Sequence, residues 1–233
     1  MSDALERVRG VRELPLFPLP LVLFPGVPLP LHIFEDRYRR LLADIRVSNN
    51  LFGLPRFENP VAEGSRPNVG HVGCVAEVVE VQPLEDGRSN ILTVGVVRYR
   101  LTGYVDAGEP YLVGRVEFFE DEDEEGELLA RRAARVSELF GRIARSVRAL
   151  NDDRTPVPDL PADDAERLSF LVAAAMEMEN DDKQELLEMR SSAARLARLA
   201  RLLARVVDNY EARARAHTLA KGNGHGGRKI DLG

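Results

Sequence analysis

The 233-residue sequence has a single cysteine, Cys74, which excludes an intramolecular disulfide and a four-cysteine zinc site and fits a reducing compartment. It has no long apolar run. Prolines or charges interrupt every apolar stretch far short of the ~20 residues a membrane helix requires. Residues Met1 to Gly10 alternate charges with single apolar side chains and contain no signal-peptide core, so the expected location is the cytoplasm, with no membrane partner. A cationic excess is missing as well: the formal net charge of -6 argues against a general nucleic-acid binder, whose affinity comes chiefly from cations set against phosphate.

Catalytic motifs are also wanting. A phosphate-binding loop needs Lys followed by Ser or Thr, yet Lys183, Lys221 and Lys229 precede Gln, Gly and Ile. Gly222, Gly224 and Gly227 match a dinucleotide spacing but follow a helix rather than a strand. Asp121, Asp123 and Glu125 mimic the start of a calcium loop, but its twelfth position is Arg132, so the run from Glu117 to Glu127 reads as a solvated acidic linker. His32 and Glu35 stand three apart in an extended, proline-rich stretch, with no second histidine near, and so make a poor metal site. No Gly-x-Ser-x-Gly turn or Ser-x-x-Lys pair occurs, and Cys74 falls in a valine-rich strand where a small buried hydrophobe is expected. No enzyme activity, cofactor or metal is expected.

Proline and glycine divide the remainder. Six of the fourteen prolines lie between Pro15 and Pro30, none lies between Tyr111 and Thr155, and from Glu127 to Lys221 the only glycine is Gly141. Both residues are costly inside helices, so strands and turns should occupy the first half and helices the second. Leu14 to Leu31 reads as short edge-type strands joined by a type II turn at Pro25-Gly26. Tyr38, Leu41, Leu42 and Ile45 place a helix over Asp36 to Val47. A loop with Pro60, Gly64 and Pro67 then leads to two strands, Gly70 to Leu84 and Asn90 to Tyr104, hinged at Asp86-Gly87, and a last strand spans Tyr111 to Phe119.

Beyond the acidic run, Leu129, Ala133, Val136, Phe140, Ile143, Val147 and Leu150 form one helical stripe. After the loop Thr155 to Pro161, further helices are expected over Asp164 to Met178, over Asp182 to Glu188 with an Asp181 or Asp182 cap, and from Ser191 or Ser192 with Leu196, Leu199, Leu203, Val206 and Tyr210 buried. The expected fold is α+β: a mixed, mostly antiparallel barrel with one helix over 14–120, an acidic linker over 121–126 and a helical bundle over 127–220. The ends, 1–13 and 221–233, are expected to be flexible.

The ordered motifs carry a resemblance. Leu14-Pro15-Leu16-Phe17-Pro18-Leu19, Val22-Leu23-Phe24-Pro25-Gly26 and Pro30-Leu31-His32-Ile33-Phe34-Glu35 with Arg37-Tyr38 resemble the start of the N-terminal substrate-binding domain of Lon proteases. The likeness continues through Val72 to Val78, Val94 to Arg100, Asp182 to Glu188 and Ala194 to Leu196. It implies a PUA-like β-barrel with a helical bundle, and a standalone form without the ATPase and peptidase modules.

The expected function is noncatalytic binding of unfolded or tagged polypeptides through exposed apolar segments, with Phe24, Phe34 and Tyr38 as aromatic contacts and Arg37 as a polar anchor. Two alternatives are an adaptor docking onto a Lon-type protease and a PUA-like RNA-binding module using Arg195, Arg198, Arg201 and Arg205. Against the latter, acidic neighbours make a balanced, solvated helix face the simpler reading.

Overall fold

The computed structural model describes residues 2–58, 65–124, 126–153, 155–156, 160–161 and 163–223. The expectations placed on Pro60, Gly64, Glu125, residues 157–159 and the tail after residue 223 lie outside them. The described chain divides into two compact units, residues 1–123 with 170–191 and residues 124–169 with 192–233.

The first unit is built on six strands: β1 (Glu13–Leu16), β2 (Pro28–Ile33), β3 (Leu51–Leu54), β4 (Val72–Pro83), β5 (Ser89–Val105) and β6 (Leu112–Phe119). Their order is β2-β5-β4-β3-β1-β6, with β6 also paired to β5. The 17-residue β5 makes this closure possible. Its first part pairs with β2, its last part with β6, and β4 runs along most of its length. Register shifts in the β4–β5 and β5–β6 pairings mark bulges that bend long strands round a barrel. Every pairing between these strands is antiparallel except β1 with β3.

At Phe24 to Val27 the chain turns with Gly26 at φ +74°, which glycine adopts without Cβ strain. The Phe24 carbonyl then presses so closely on β5 that a Cβ at Gly95 would collide with it. Helix α2 (Asp36–Arg46) buries Tyr38, Leu41, Leu42 and Ile45, the four residues its periodicity selects. They meet Phe17, Phe52, Cys74 and Ile91 in one apolar core, while Leu14, Leu16, Val75, Tyr99 and Leu101 form a second.

The first thirteen residues were expected to be flexible. Instead Ser2 caps a short helix, α1 (Asp3–Arg7), and Val8 is buried in the second core. The acidic run likewise departs from a solvated linker. Arg98 of β5 and Asp121 pair at 2.5 Å with side chains 1% and 5% exposed. Arg98 also donates to the carbonyls of Leu187 and Met189 and lies between the rings of Phe119 and Phe170. A charge this deep persists because its donors meet a carboxylate, carbonyls and aromatic faces. Helix α4 (Ala165–Ala175) crosses from one unit's residues into the other's, and α5 (Asn180–Glu188) groups with the sheet rather than with a separate bundle. Its N-cap is Glu179, with no side-chain hydrogen bond, rather than Asp181 or Asp182.

The second unit is dominated by α3 (Glu127–Leu150) and α6 (Ser192–Asn223). Ala133, Val136 and Leu139 of α3 and Leu196, Leu199, Leu203, Val207 and Ala214 of α6 are buried. The stripe on α6 passes through Val207 rather than Val206, which is exposed, because the buried line advances by four there. Glu124 accepts the Ala193 N–H at 2.8 Å, so an acidic side chain satisfies the first turn of α6. Arg195 is fully buried and donates to Ser169 and Ser192, which removes it from any cationic surface stripe.

Candidate functional site

The four side chains singled out by sequence separate by burial. Phe24 is fully buried with its ring 5.9 Å from that of Phe170, and Tyr38 is 4% exposed and stacked on Phe17 at 3.9 Å. Both are core residues, so neither ring meets a ligand at the surface. Burial raises the Tyr38 phenol above its ordinary value, with the adjacent Arg37 opposing, and the hydroxyl stays neutral. Arg37 is half-buried, pairs with Glu35 at 2.8 Å and lies 4.5 Å over the Tyr38 ring. Phe34 alone is open, with 59% of its surface exposed.

The geometry of β2 explains this. Along β2 the residues at 29, 31 and 33 face the core side and those at 28, 30 and 32 face outward. Phe34, two residues beyond His32, stays on the outward side. The His32 and Phe34 rings stack with centroids 5.9 Å apart. His32 sits opposite Asn90 in the β2–β5 register, and its Nδ1 lies 2.7 Å from the Asn90 Oδ1. The exposed ring is thus held by a partner fixed to the neighbouring strand. Sequence reasoning missed His32 as a support for Phe34 and missed Asn90 altogether. Shared parity with Phe34 points to the first, whereas the second needs the cross-strand register.

Strand β2 ends the sheet, with no partner on its far side among the described residues. Gly95 donates to the Val27 carbonyl at 3.0 Å, so positions 29, 31 and 33 direct their backbone groups toward β5 and positions 28, 30 and 32 direct theirs outward. Two of those outward positions are Pro28 and Pro30, which have no N–H. An incoming strand would find one donor, at His32, along this edge, and ladder pairing is blocked. What this corner offers at the surface is therefore side chains rather than a backbone ladder.

Other candidate chemistry resolves into structure. Burial pushes the Cys74 thiol up to about 12, which makes it inert as a nucleophile. Glu35 is committed to Arg37, His32 faces Asn90, and Asp121 is committed to Arg98. No group of three or more potential metal ligands occurs among the described residues. His71 has its Nε2 buried and unpartnered, and burial lowers its pKa, with Arg56 reinforcing and Glu188 opposing. No described helix is long and apolar enough to cross a membrane.

A family model described as the ATP-dependent protease La (LON) substrate-binding domain matches residues 13–205. Among curated proteins, the chain is 27% identical over 214 residues to the Lon protease of Escherichia coli strain K12, covering 90% of this chain and 27% of that one. It is 26% identical over 201 residues to Lon protease 2 of Herpetosiphon aurantiacus, covering 85% and 24%. The chain thus spans about a quarter of the length of these relatives. Among solved structures, the Lon N-terminal domain protein from Xanthomonas campestris matches with a TM-score of 0.58 at 24% identity, over 81% of this chain and 97% of that one. The N-terminal domain of the Mycobacterium avium complex Lon protease matches with a TM-score of 0.64 at 16% identity, over 83% and 98%.

Proposed function

The chain belongs to the Lon substrate-binding domain family, and from that premise we propose that it is a noncatalytic, cytoplasmic receptor for polypeptide clients, which it captures by exposed apolar or unfolded segments at the Phe34 corner. The observation that carries this reading is the Phe34 ring, 59% exposed and braced by His32. A large aromatic held open at a surface has its conformational entropy already restricted, so little ordering cost remains when a client side chain covers it. Arg37, three residues on, supplies a charged anchor whose guanidinium lies over the Tyr38 ring. The proline-blocked edge of β2 favours this side-chain capture over strand addition, and it also limits pairing between copies.

Covering the exposed part of a phenylalanine is worth about 1–2 kcal/mol, which corresponds to roughly a tenfold change in affinity. Phe34→Ala should therefore weaken binding of a labelled, chemically unfolded client about tenfold in a fluorescence-anisotropy titration, while the thermal melt of the variant stays that of the parent. Unchanged client affinity in a normally folded Phe34→Ala protein would remove the corner from the binding site.

A further inference from the structure

The helical unit carries a feature that client capture at Phe34 does not use. Although the whole chain is acidic, α3 contains six arginines against two glutamates, and α6 six arginines and one lysine against one aspartate and one glutamate. The excess is local. At Arg142 the two helices are complementary: its guanidinium makes two hydrogen bonds to Glu211, at 2.8 and 3.1 Å. One and two turns further along α3, Arg145 and Arg148 form no ion pair among the described residues: Arg145 lies near Glu211 without pairing with it, Arg148 donates to the Thr155 hydroxyl and to the Thr155 and Pro156 carbonyls, and α6 contributes Thr218 and Lys221. A cleft of about 890 Å³ lies there, lined by Arg145, Arg148 and Lys221 with the hydroxyls of Thr155 and Thr218.

Two details set Arg145 apart. Gly141, the one glycine of α3, lies a turn before it, and a Cβ there would stand 3.3 Å from the Arg145 Nη1. A mid-helix glycine costs about 1 kcal/mol relative to alanine, and here it leaves the guanidinium room to lie back over the helix. The acids bordering the cleft are otherwise engaged: Asp152 with Lys221 and His217, and Asp153 with Thr155.

We propose that this cleft binds acidic polypeptide segments, with the Arg145 guanidinium donating to a side-chain carboxylate in the bidentate geometry that arginine provides, and Arg148, held to Thr155 and Pro156 through its Nη1, offering its remaining N–H groups. A carboxylate suits the site better than a nucleic-acid backbone. No aromatic residue lines the cleft among the described residues, so bases find no stacking platform there. Asp152 and Asp153 interrupt the cations, which hinders a continuous track of phosphates but leaves room for separate carboxylates between them. The site stands apart from the Phe34 reading and does not depend on it.

The test is an anisotropy titration of the full chain with a fluorescein-labelled oligoglutamate peptide. Binding should be measurable at low ionic strength and weaken as salt rises. The double variant Arg145→Glu/Arg148→Glu should lose about tenfold or more in affinity, and the milder Arg145→Gln/Arg148→Gln pair should lose less, with circular-dichroism melts unchanged. The neutral pair carries the test if charge reversal perturbs folding. Phe34→Ala should leave the peptide's affinity where it was, which separates this site from the corner in the other unit. Absence of binding, indifference to both double variants, or loss with Phe34→Ala would overturn the proposal. So would tighter binding, through the same arginines, of a single-stranded DNA of equal charge.

Discussion

The two units of this chain differ in their balance of charge and in the surface that charge leaves open. The sheet unit contains fifteen arginines and lysines against twenty-five acids, and the helical unit seventeen against thirteen. In the acidic unit, Arg98 is sunk to 1% exposure and locked by a carboxylate, two carbonyls and two aromatic rings. In the basic unit, Arg142 pairs with Glu211 where both side chains keep a quarter or more of their exposure, and among the described residues its neighbours Arg145 and Arg148 form no ion pair, Arg148 being held by Thr155 and Pro156. A buried guanidinium fixes chain segments distant in sequence, whereas half-exposed ones leave charge available to a partner. Arg195 shows that the helical unit also holds a buried, structural guanidinium, so the contrast is between Arg98 and the half-exposed arginines of α3. The open surface feature of the sheet unit is accordingly an aromatic ring, and that of the helical unit a cationic cleft.

The sharpest way to break this comparison is Arg98→Ala, which removes the guanidinium paired with the buried Asp121 and should cost about 3–5 kcal/mol in denaturant unfolding. Arg142→Ala removes the two-hydrogen-bond pair with Glu211 from a wetter place and should cost about 1 kcal/mol or less. Equal losses would erase the distinction between the buried and the half-exposed pair. Cys74 reports which unit opens, because burial keeps its thiol unreactive until the sheet unit unfolds. Arg98→Ala should accelerate its labelling by a thiol reagent, and Arg142→Ala should leave the labelling rate unchanged.

Next in size is Gly95→Ala. The added methyl meets the Phe24 backbone carbonyl, which cannot move as a flexible side chain would, and about 1–3 kcal/mol should be lost from the sheet unit. The smallest effect is one of pH. His71 has a folded-state pKa below its ordinary value near 6.5 because it is buried. The unfolded chain thus binds the proton more readily than the folded one, and stability that is full above about pH 6.5 declines as pH falls below it. His71→Gln should flatten that part of the stability–pH curve, and an unchanged slope would show that His71 titrates alike in both states.

How much was legible beforehand follows from the range of the interactions. Tyr38, Leu41, Leu42 and Ile45 are all buried on α2, and the Asp86-Gly87 hairpin joins β4 to β5, because periodicity and turn chemistry act over a few residues. Helix α1 was missed because five residues carry too little pattern, and the burial of Val8 in the barrel core accompanies its order. Arg98 in a valine-rich strand reads as solvent-facing, since its partners Leu187 and Met189 come from about ninety residues away. In the candidate site, the motif that drew attention to Phe24, Phe34, Arg37 and Tyr38 mixed core with surface. The outward parity of Pro28, Pro30 and His32 would have picked out Phe34, whereas the burial of Phe24 beside Gly95 needed the fold.

The most direct measurement of client capture is site-specific photocrosslinking. A photoreactive phenylalanine analogue is placed at position 34, and in a second protein at position 47, where Val47 is 88% exposed but lies outside the corner. With an unfolded client present, the probe at 34 should form a crosslink whose yield falls with unlabelled competitor, and the probe at 47 should give only background. Equal yields at the two positions, or none at 34, would contradict the account.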